Sequence, residues 1–386
     1  MNRQNQKAAC SAFGRCGNCE ELNVSYPRQL EMKQALVEKL LGEFGPVLPI
    51  IGMKNPVHYR CKVHRVVGQN RQGRIVLGSY AQGSHFLVPV ENCLLEDVSC
   101  QKILQTLGKL FTSFHLQSWN ENTGRGHIRH ILLRKGAATG EIMVVLVCPD
   151  FTFPGKNHFV QALRAAHPEI TTLVLNRNRE ETDMILGDRE TVLYGPGFIR
   201  DSLCGLTFRI SAQSFFQVNP VQAEKLYRVA LDFASLTGRE TLVDAYCGTG
   251  TIGLSAASRA REVLGFELSP SAVRDARRNA QDNGISNARF FCCDAGEELT
   301  RMAEEGLKAD VILLDPPRSG STEAFLRSAA WIGPERIVYI SCGPESLARD
   351  LGRLNKLGYQ AEIIQPVDLF PYTARHVETV VKLKKR

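Results

Sequence analysis

The chain has no run of about 18 apolar residues, so nothing in it reads as a membrane span. Its opening stretch, MNRQNQKAACSAFGRCGNC, has no apolar h-region and does not read as a secretory signal. The lack of an export segment implies a reducing compartment, most simply the cytoplasm. Disulfides are scarce there, so 12 cysteines are poor material for a disulfide framework. Some are expected as metal ligands, one as a nucleophile, and the rest as small buried hydrophobes. Internal repeats and long low-complexity linkers are missing too. From Gly52 to Val90 there is no Asp or Glu, while Lys54, Arg60, Lys62, Arg65, Arg71 and Arg74 fall in that stretch. The tail adds Lys382, Lys384, Lys385 and Arg386, and the net charge is +7. Clustered cations point to a polyanionic partner, nucleic acid first; the plainer reading is a solvated face and a charged tail.

What is present fits a globular protein: 386 residues, 44% hydrophobic and 23% charged. At about 150 residues per domain, two or three domains are expected. Residues 26–43 read as an amphipathic helix, with Leu30, Ala35, Leu36 and Leu40 as its stripe. Residues 47–90 read as strands with a hairpin turn at Asn70–Gly73. A helix at 98–115 precedes further hairpin-like strands, so the front half is expected to be mainly antiparallel. Near 205–215 the pattern changes to alternating strand and helix, the grammar of a mostly parallel sheet. Asn219 and Pro220 open the first helix of that half.

In VDAYCGTGTIGL, Gly248, Gly250 and Gly253 would let a ligand approach the backbone after the strand ending at Asp244. The spacing is not the full dinucleotide fingerprint, and the Lys-Ser/Thr of a P-loop is missing. Glu267 ends the next strand, where a carboxylate can accept from a ribose diol. Asp294 ends the third, where it could sit beside an adenine. S-adenosylmethionine fits these positions, with NAD the alternative. Asp315 leads Pro316-Pro317-Arg318 at the end of the fourth strand, and ligands in such sheets bind at that edge. Arg318 stands where amino-group methyltransferases carry a stacking aromatic, so other chemistry is expected. Cys342 ends the fifth strand, accessible and with an expected lowered pKa. Glu378 enters the last strand, sharing a side with His376.

A thiol, a carboxylate and a methyl donor form a coherent set for methylating a pyrimidine carbon. C5 of uracil is a poor nucleophile until a thiolate adds to C6, and a base must later remove the C5 proton. The segments SFFQVNP, VDAYCGTGTIGL, LDPPRSG, SCGPESLARD and FPYTARHVE, in this order, resemble the RNA 5-methyluridine methyltransferase family over nearly the whole chain. The resemblance implies a class I, Rossmann-like, S-adenosylmethionine-dependent α/β domain over 211–386. It also implies a central RNA-binding α+β domain over 26–210. Cys342 would be the nucleophile and Glu378 the base. Phe215, Gln217, Asp315 and Arg318 would meet the uridine. Gln217, Tyr246, Gly248, Glu267, Asp294 and Asp315 would line the methyl-donor site. Gly343 departs from the family, where Asn is frequent, and loses a side-chain hydrogen bond beside the cysteine.

Cys10, Cys16 and Cys19 form C-x5-C-x2-C, with Cys93 far downstream and Cys61 and Cys100 as competing fourth ligands. Spacing alone allows a [4Fe–4S] cluster, zinc or no metal. The family's rRNA enzymes and some archaeal-type tRNA enzymes resemble this arrangement. The resemblance therefore implies a structural [4Fe–4S] cluster on Cys10, Cys16, Cys19 and Cys93, spanning 1–25 and 85–100. The extra N-terminal RNA-binding barrel of some relatives is expected to be absent. RNA contact then falls to the acid-free stretch together with Arg125, Arg129, Arg134 and Lys135. The expected reaction is methylation of a uridine in 23S rRNA, with the tRNA T-loop second and a catalytically decayed RNA-binding iron–sulfur protein third.

Overall fold

A computed structural model of the chain describes residues 10–70, 72–180 and 184–386. Arg71 lies outside the described residues. The chain divides into two compact units. The first takes in residues up to Ser25, Asn55–Ser202 and Arg209–Gln213; the second takes in Tyr26–Lys54, Leu203–Phe208 and Ser214–Arg386. Among the described residues no helix is long and apolar enough to cross a membrane.

The first unit is built on a seven-stranded sheet. Its strands are β1 (Lys62–Gln69), β2 (Ile75–Tyr80), β3 (Leu87–Pro89), β4 (His130–Lys135), β5 (Ile142–Cys148), β6 (Ile170–Arg177) and β7 (Arg189–Tyr194), in the order β3-β2-β1-β4-β5-β6-β7. The β1–β2 turn closes as expected, with Asn70 Oδ1 accepting from the Arg74 amide at 3.0 Å. Asp97 caps helix Val98–Ser113 by accepting from the Ser99 amide at 2.8 Å, a bond worth about 1 kcal/mol. That helix buries Ile103, Leu104, Leu107 and Phe111, each worth roughly 1.5–3 kcal/mol of transfer free energy. One pairing differs from the antiparallel expectation. Strands β5 and β6 run parallel, joined through helix Lys156–Ala166. Continuous apolar burial along IMVVLVC marks a strand covered on both faces, which parallel crossovers require.

Helix Tyr26–Leu41 belongs to the second unit rather than to a middle domain running from 26 to 210. Its Val37 and Leu41 enter the same core as Val243, Ile312 and Ile364. The buried face is Gln29, Lys33, Val37 and Leu41, not the stripe expected from Leu30, Ala35, Leu36 and Leu40. Two polar positions can face inward because partners meet them. Lys33 Nζ donates to Asp368 Oδ1 at 2.8 Å, and Gln29 Oε1 accepts from the Tyr372 amide at 2.8 Å.

Strands β8 (Ile199–Leu203) and β9 (Leu206–Ile210) form a separate two-stranded sheet. The sheet of the second unit comprises β10 (Thr241–Ala245), β11 (Glu262–Glu267), β12 (Ala288–Cys292), β13 (Val311–Leu314), β14 (Arg336–Ser341), β15 (Tyr359–Val367) and β16 (Glu378–Lys385). Their order is β12-β11-β10-β13-β14-β16-β15, parallel except for β16. The order reverses at β10 and β13, and such switch points open a crevice at the carboxyl ends of the strands. Asn219 caps helix Pro220–Ala234 as expected, and Pro220 stands in its first turn.

Candidate active site

The carboxyl ends of β10 to β14 bring most of the expected residues to one edge of the second unit. Leu314 pairs with Ala245 on one side and Tyr339 on the other, so Tyr246 and Asp315 leave adjacent strand ends together. Strand β16 runs antiparallel to β14, with Ser341 opposite Thr379. Cys342 and Glu378 are the next residues on the two strands. Four segments distant in sequence thus supply one corner of the sheet.

Glu378 is buried, and burial with the nearby Asp315 carboxylate pushes it up to about 8. Burial pushes Asp315 up to about 7. Cys342 is half-buried. Its thiol is pushed up to about 11 by burial and by Glu378 and Asp315, with Arg318 pulling the other way. This corrects the expected lowered thiol pKa: burial leads the rise, and the two carboxylates add to it against the single cation. Arg318 is exposed and reaches the thiol only by its field, while its carbonyl accepts from Ser346 Oγ at 2.9 Å. The same hydroxyl lies 2.9 Å from the Gly343 carbonyl, so Ser346 links the Asp-Pro-Pro-Arg loop to the cysteine loop.

Asp350 fixes the far end of the first loop. It is fully buried and accepts from the Ser321 amide and the Tyr339 hydroxyl, each at 2.8 Å. Tyr227 is buried on helix Pro220–Ala234; its hydroxyl bonds to the Gln217 side chain and lies 3.3 Å from Thr251 Oγ1. The Asp315 charge helps push that phenol up. Ser346, Asp350 and Tyr227 escaped the sequence reading. A tyrosine on an otherwise apolar helix face was the one available signal. Phe215 remains 67% exposed, a flat apolar face open to a ligand.

The glycine loop is shaped by Asp244. Its buried Oδ2 accepts from the Gly253 amide at 2.8 Å, and a Cβ on Gly253 would stand 2.6 Å from that oxygen. Gly250 has φ +78°, so its left-handed backbone is the second position that requires glycine. Tyr246 also has positive φ, +63°, which costs a non-glycine residue about 1–3 kcal/mol and concentrates at functional sites. Glu267 accepts from the Gly248 amide at 3.1 Å and the Ser269 amide at 2.8 Å. Asp294 is exposed and caps helix Ala295–Glu304 through Oδ1.

The four cysteines of the expected cluster lie in the first unit. Cys10, Cys16, Cys19 and Cys93 are all buried. Burial pushes Cys19 up to about 12, with Cys16, Cys93 and Cys10 adding to the rise. The Cys100 thiol instead feels Cys61. Among the described residues no group of three or more His, Cys, Asp or Glu is arranged to hold a single metal ion.

Several expected RNA contacts are corrected. Arg65 is 1% exposed and paired with Glu96; Arg129 and Arg134 are buried, and Lys135 bonds Asp97. Burial lowers Arg134 to about 10, against a weaker opposing effect of Cys61. Arg65, Arg129 and Arg134 serve internal carbonyls and carboxylates instead. Lys54, Arg74 and Arg125 remain exposed.

The sheet order and its carboxyl edge define a class I S-adenosylmethionine-dependent methyltransferase. A family model described as tRNA (Uracil-5-)-methyltransferase matches residues 199–386. An uncharacterized RNA methyltransferase of Clostridium acetobutylicum is 40% identical over 383 residues, covering 97% of this chain and 83% of its own length. Another, from Lactiplantibacillus plantarum, is 42% identical over 368 residues, covering 94% and 80%. Among solved structures, Pyrococcus abyssi tRNA (uracil-54, C5)-methyltransferase, in complex with S-adenosyl-L-homocysteine, matches with TM-score 0.79 and 27% identity, covering 96% of this chain and 86% of that one. The chain belongs to the RNA uracil-C5 methyltransferase family.

Proposed function

We propose that the chain methylates C5 of a specific uridine in 23S rRNA, with Cys342 as nucleophile and Glu378 as base. The observation that carries this reading is the register that makes a thiol and a buried carboxylate neighbours beside Asp315. Bound at this edge, S-adenosylmethionine would supply an electrophilic methyl group on a cationic sulfur. Gln217, Tyr246, Gly248, Glu267 and Asp294 would hold it. The Cys342 thiolate adds to C6 of the uracil, and the electron pair moves onto C5 and O4. C5 would then take that methyl group, the donor's carbon–sulfur bond breaking and its electron pair staying on sulfur to leave a neutral thioether. Glu378 removes the C5 proton, and the returning pair expels the Cys342 thiolate. Asp315 and Gln217 hold the base edge, and Phe215 and Arg318 border it.

Cys10, Cys16, Cys19 and Cys93 would hold a [4Fe–4S] cluster. Four buried cysteines, with Cys10, Cys16 and Cys93 all close enough to raise Cys19, suit this donor set, and the reaction itself needs no electron. The cluster would pin the N-terminal segment to its sheet. A second substrate, the tRNA T-loop, is favoured by the likeness to the Pyrococcus tRNA (uracil-54, C5)-methyltransferase. Mapping 5-methyluridine in 23S rRNA and tRNA from a deletion strain and its parent separates them. Loss from 23S rRNA supports the first reading, and loss from the T-loop alone replaces it with the second.

A further inference from the structure

A cleft of about 380 Å³ in the first unit shares no residue with the Cys342 site. Its size is that of a small-ligand pocket. Trp119 and Tyr80 line it with flat, partly exposed faces, and the His85 ring lies 5.2 Å from the Tyr80 ring. Arg129 also lines it, 4% exposed. Both of its terminal nitrogens are bonded, but its Nε is buried with no hydrogen-bond partner, an N–H donor in need of an acceptor. Asn120 and Asn122 stand exposed at the mouth, carrying both amide donors and carbonyl acceptors.

The charge of the cleft selects against a phosphate. Arg129 is already paired with Glu121 at 3.0 Å, so an anion would meet a neutralised cation and a carboxylate. His130 contacts His64 nitrogen to nitrogen at 3.2 Å. Burial, helped by nearby cations, lowers His130 to about 3 and His64 to about 4, so both rings are neutral. A neutral, flat ligand with hydrogen-bonding edges fits these walls, and aromatic stacking with edge contacts is how unstacked RNA bases are held.

We propose that this cleft, walled by Trp119 and Tyr80 with Arg129 at its side, holds one unstacked nucleobase of the RNA substrate, distinct from the uridine that is methylated. The inference rests on RNA being the substrate and adds a second point of recognition.

The chain has two tryptophans, so Trp331→Phe leaves Trp119 as the sole indole. The full-length variant is titrated with unstructured RNA octamers, with an octamer of abasic residues, and with heparin. Base-containing octamers are expected to quench Trp119, also in a Cys342→Ala background, while abasic RNA and heparin leave it unchanged. Stacking is worth about 1–3 kcal/mol per base, so Trp119→Leu should raise the KM for RNA about 5- to 150-fold with kcat within about twofold. Asn122→Ala changes only an exposed loop side chain and should raise KM about fivefold. Equal quenching by abasic RNA or heparin, or an unchanged KM in both variants, overturns the proposal. If the parent protein methylates no RNA, the functional reading falls, and Trp119 quenching by base-containing RNA still decides the cleft.

Discussion

Cys342 and Glu378 sit one step beyond the Ser341–Thr379 pair on neighbouring antiparallel strands. The placement gives each group a separate task in one reaction. Cys342→Ala is expected to abolish both turnover and the covalent adduct with 5-fluorouridine RNA. Glu378→Gln should still form the methylated adduct but release it about 10²- to 10⁴-fold more slowly. Denaturing gels with methyl-labelled RNA read both effects. Turnover at the parent rate in either variant removes that residue from the mechanism.

The same carboxylates predict opposite pH dependences for activity and stability. Catalysis needs Glu378 and Cys342 deprotonated, and their pKa values stand at about 8 and about 11. The kcat/KM should therefore rise with pH through about 8 and go on rising towards about 11, as first Glu378 and then Cys342 ionises. A cationic sulfonium beside these groups favours their ionised forms, so S-adenosylmethionine should release protons on binding near neutral pH. Calorimetry in buffers of different ionisation enthalpy measures that release. For stability the sign reverses. A carboxyl raised on folding contributes stability fully below its unfolded pKa, and that contribution is lost as pH rises through about 8. Glu378→Gln should thus raise Tm by a few degrees at about pH 9 and leave it unchanged at about pH 4.

The cysteine assignment predicts a clean division. In anaerobically purified protein, Cys10→Ala, Cys16→Ala, Cys19→Ala or Cys93→Ala should each lower bound iron strongly. Cys61→Ala and Cys100→Ala should retain it, since the thiols acting on Cys19 are Cys10, Cys16 and Cys93. Zinc in place of iron in the parent protein would replace the cluster with a mononuclear site. Loss of iron in the Cys61 variant would change the ligand set.

The C-terminal half was legible because its signals are local. Strand, glycine loop and helix follow each other in VDAYCGTGTIGL, and Asn219-Pro220 announces its helix. Register was not legible, since Glu378 meets Cys342 through pairing of segments far apart in sequence. Burial of charge escaped for a similar reason. Arg65, Arg129 and Arg134 look like an RNA-binding array until Glu96, Asn178 and the Ala212 carbonyl arrive from elsewhere. Helix Tyr26–Leu41 shows the converse, hiding Lys33 inward because Asp368 is waiting for it.

Gly343 tests how the cysteine loop is held. A Cβ there would stand 2.9 Å from Ser346 Oγ and 3.0 Å from the Arg318 carbonyl. Gly343→Asn should therefore displace Ser346 and slow methyl transfer up to about tenfold, while a double variant with Ser346→Ala recovers part of the loss. A double-mutant cycle measures the coupling, expected at about 0.5–3 kcal/mol for residues in contact. Additive effects would mean that the two loops are set independently.

The Lys33–Asp368 pair argues for a structural cost that activity assays alone would misread. Both side chains are almost fully buried, and Lys33 Nζ also donates to the Phe370 carbonyl at 2.9 Å. Asp368 accepts in addition from Tyr26 at 2.8 Å. Lys33→Met leaves a buried carboxylate without its cation, which costs about 3–5 kcal/mol. Replacing both residues, Lys33→Met with Asp368→Leu, removes the stranded charge and should recover much of that stability. Denaturant unfolding of the two variants measures the difference. A Lys33→Met protein as stable as its parent would mean that the pair fixes geometry without contributing stability.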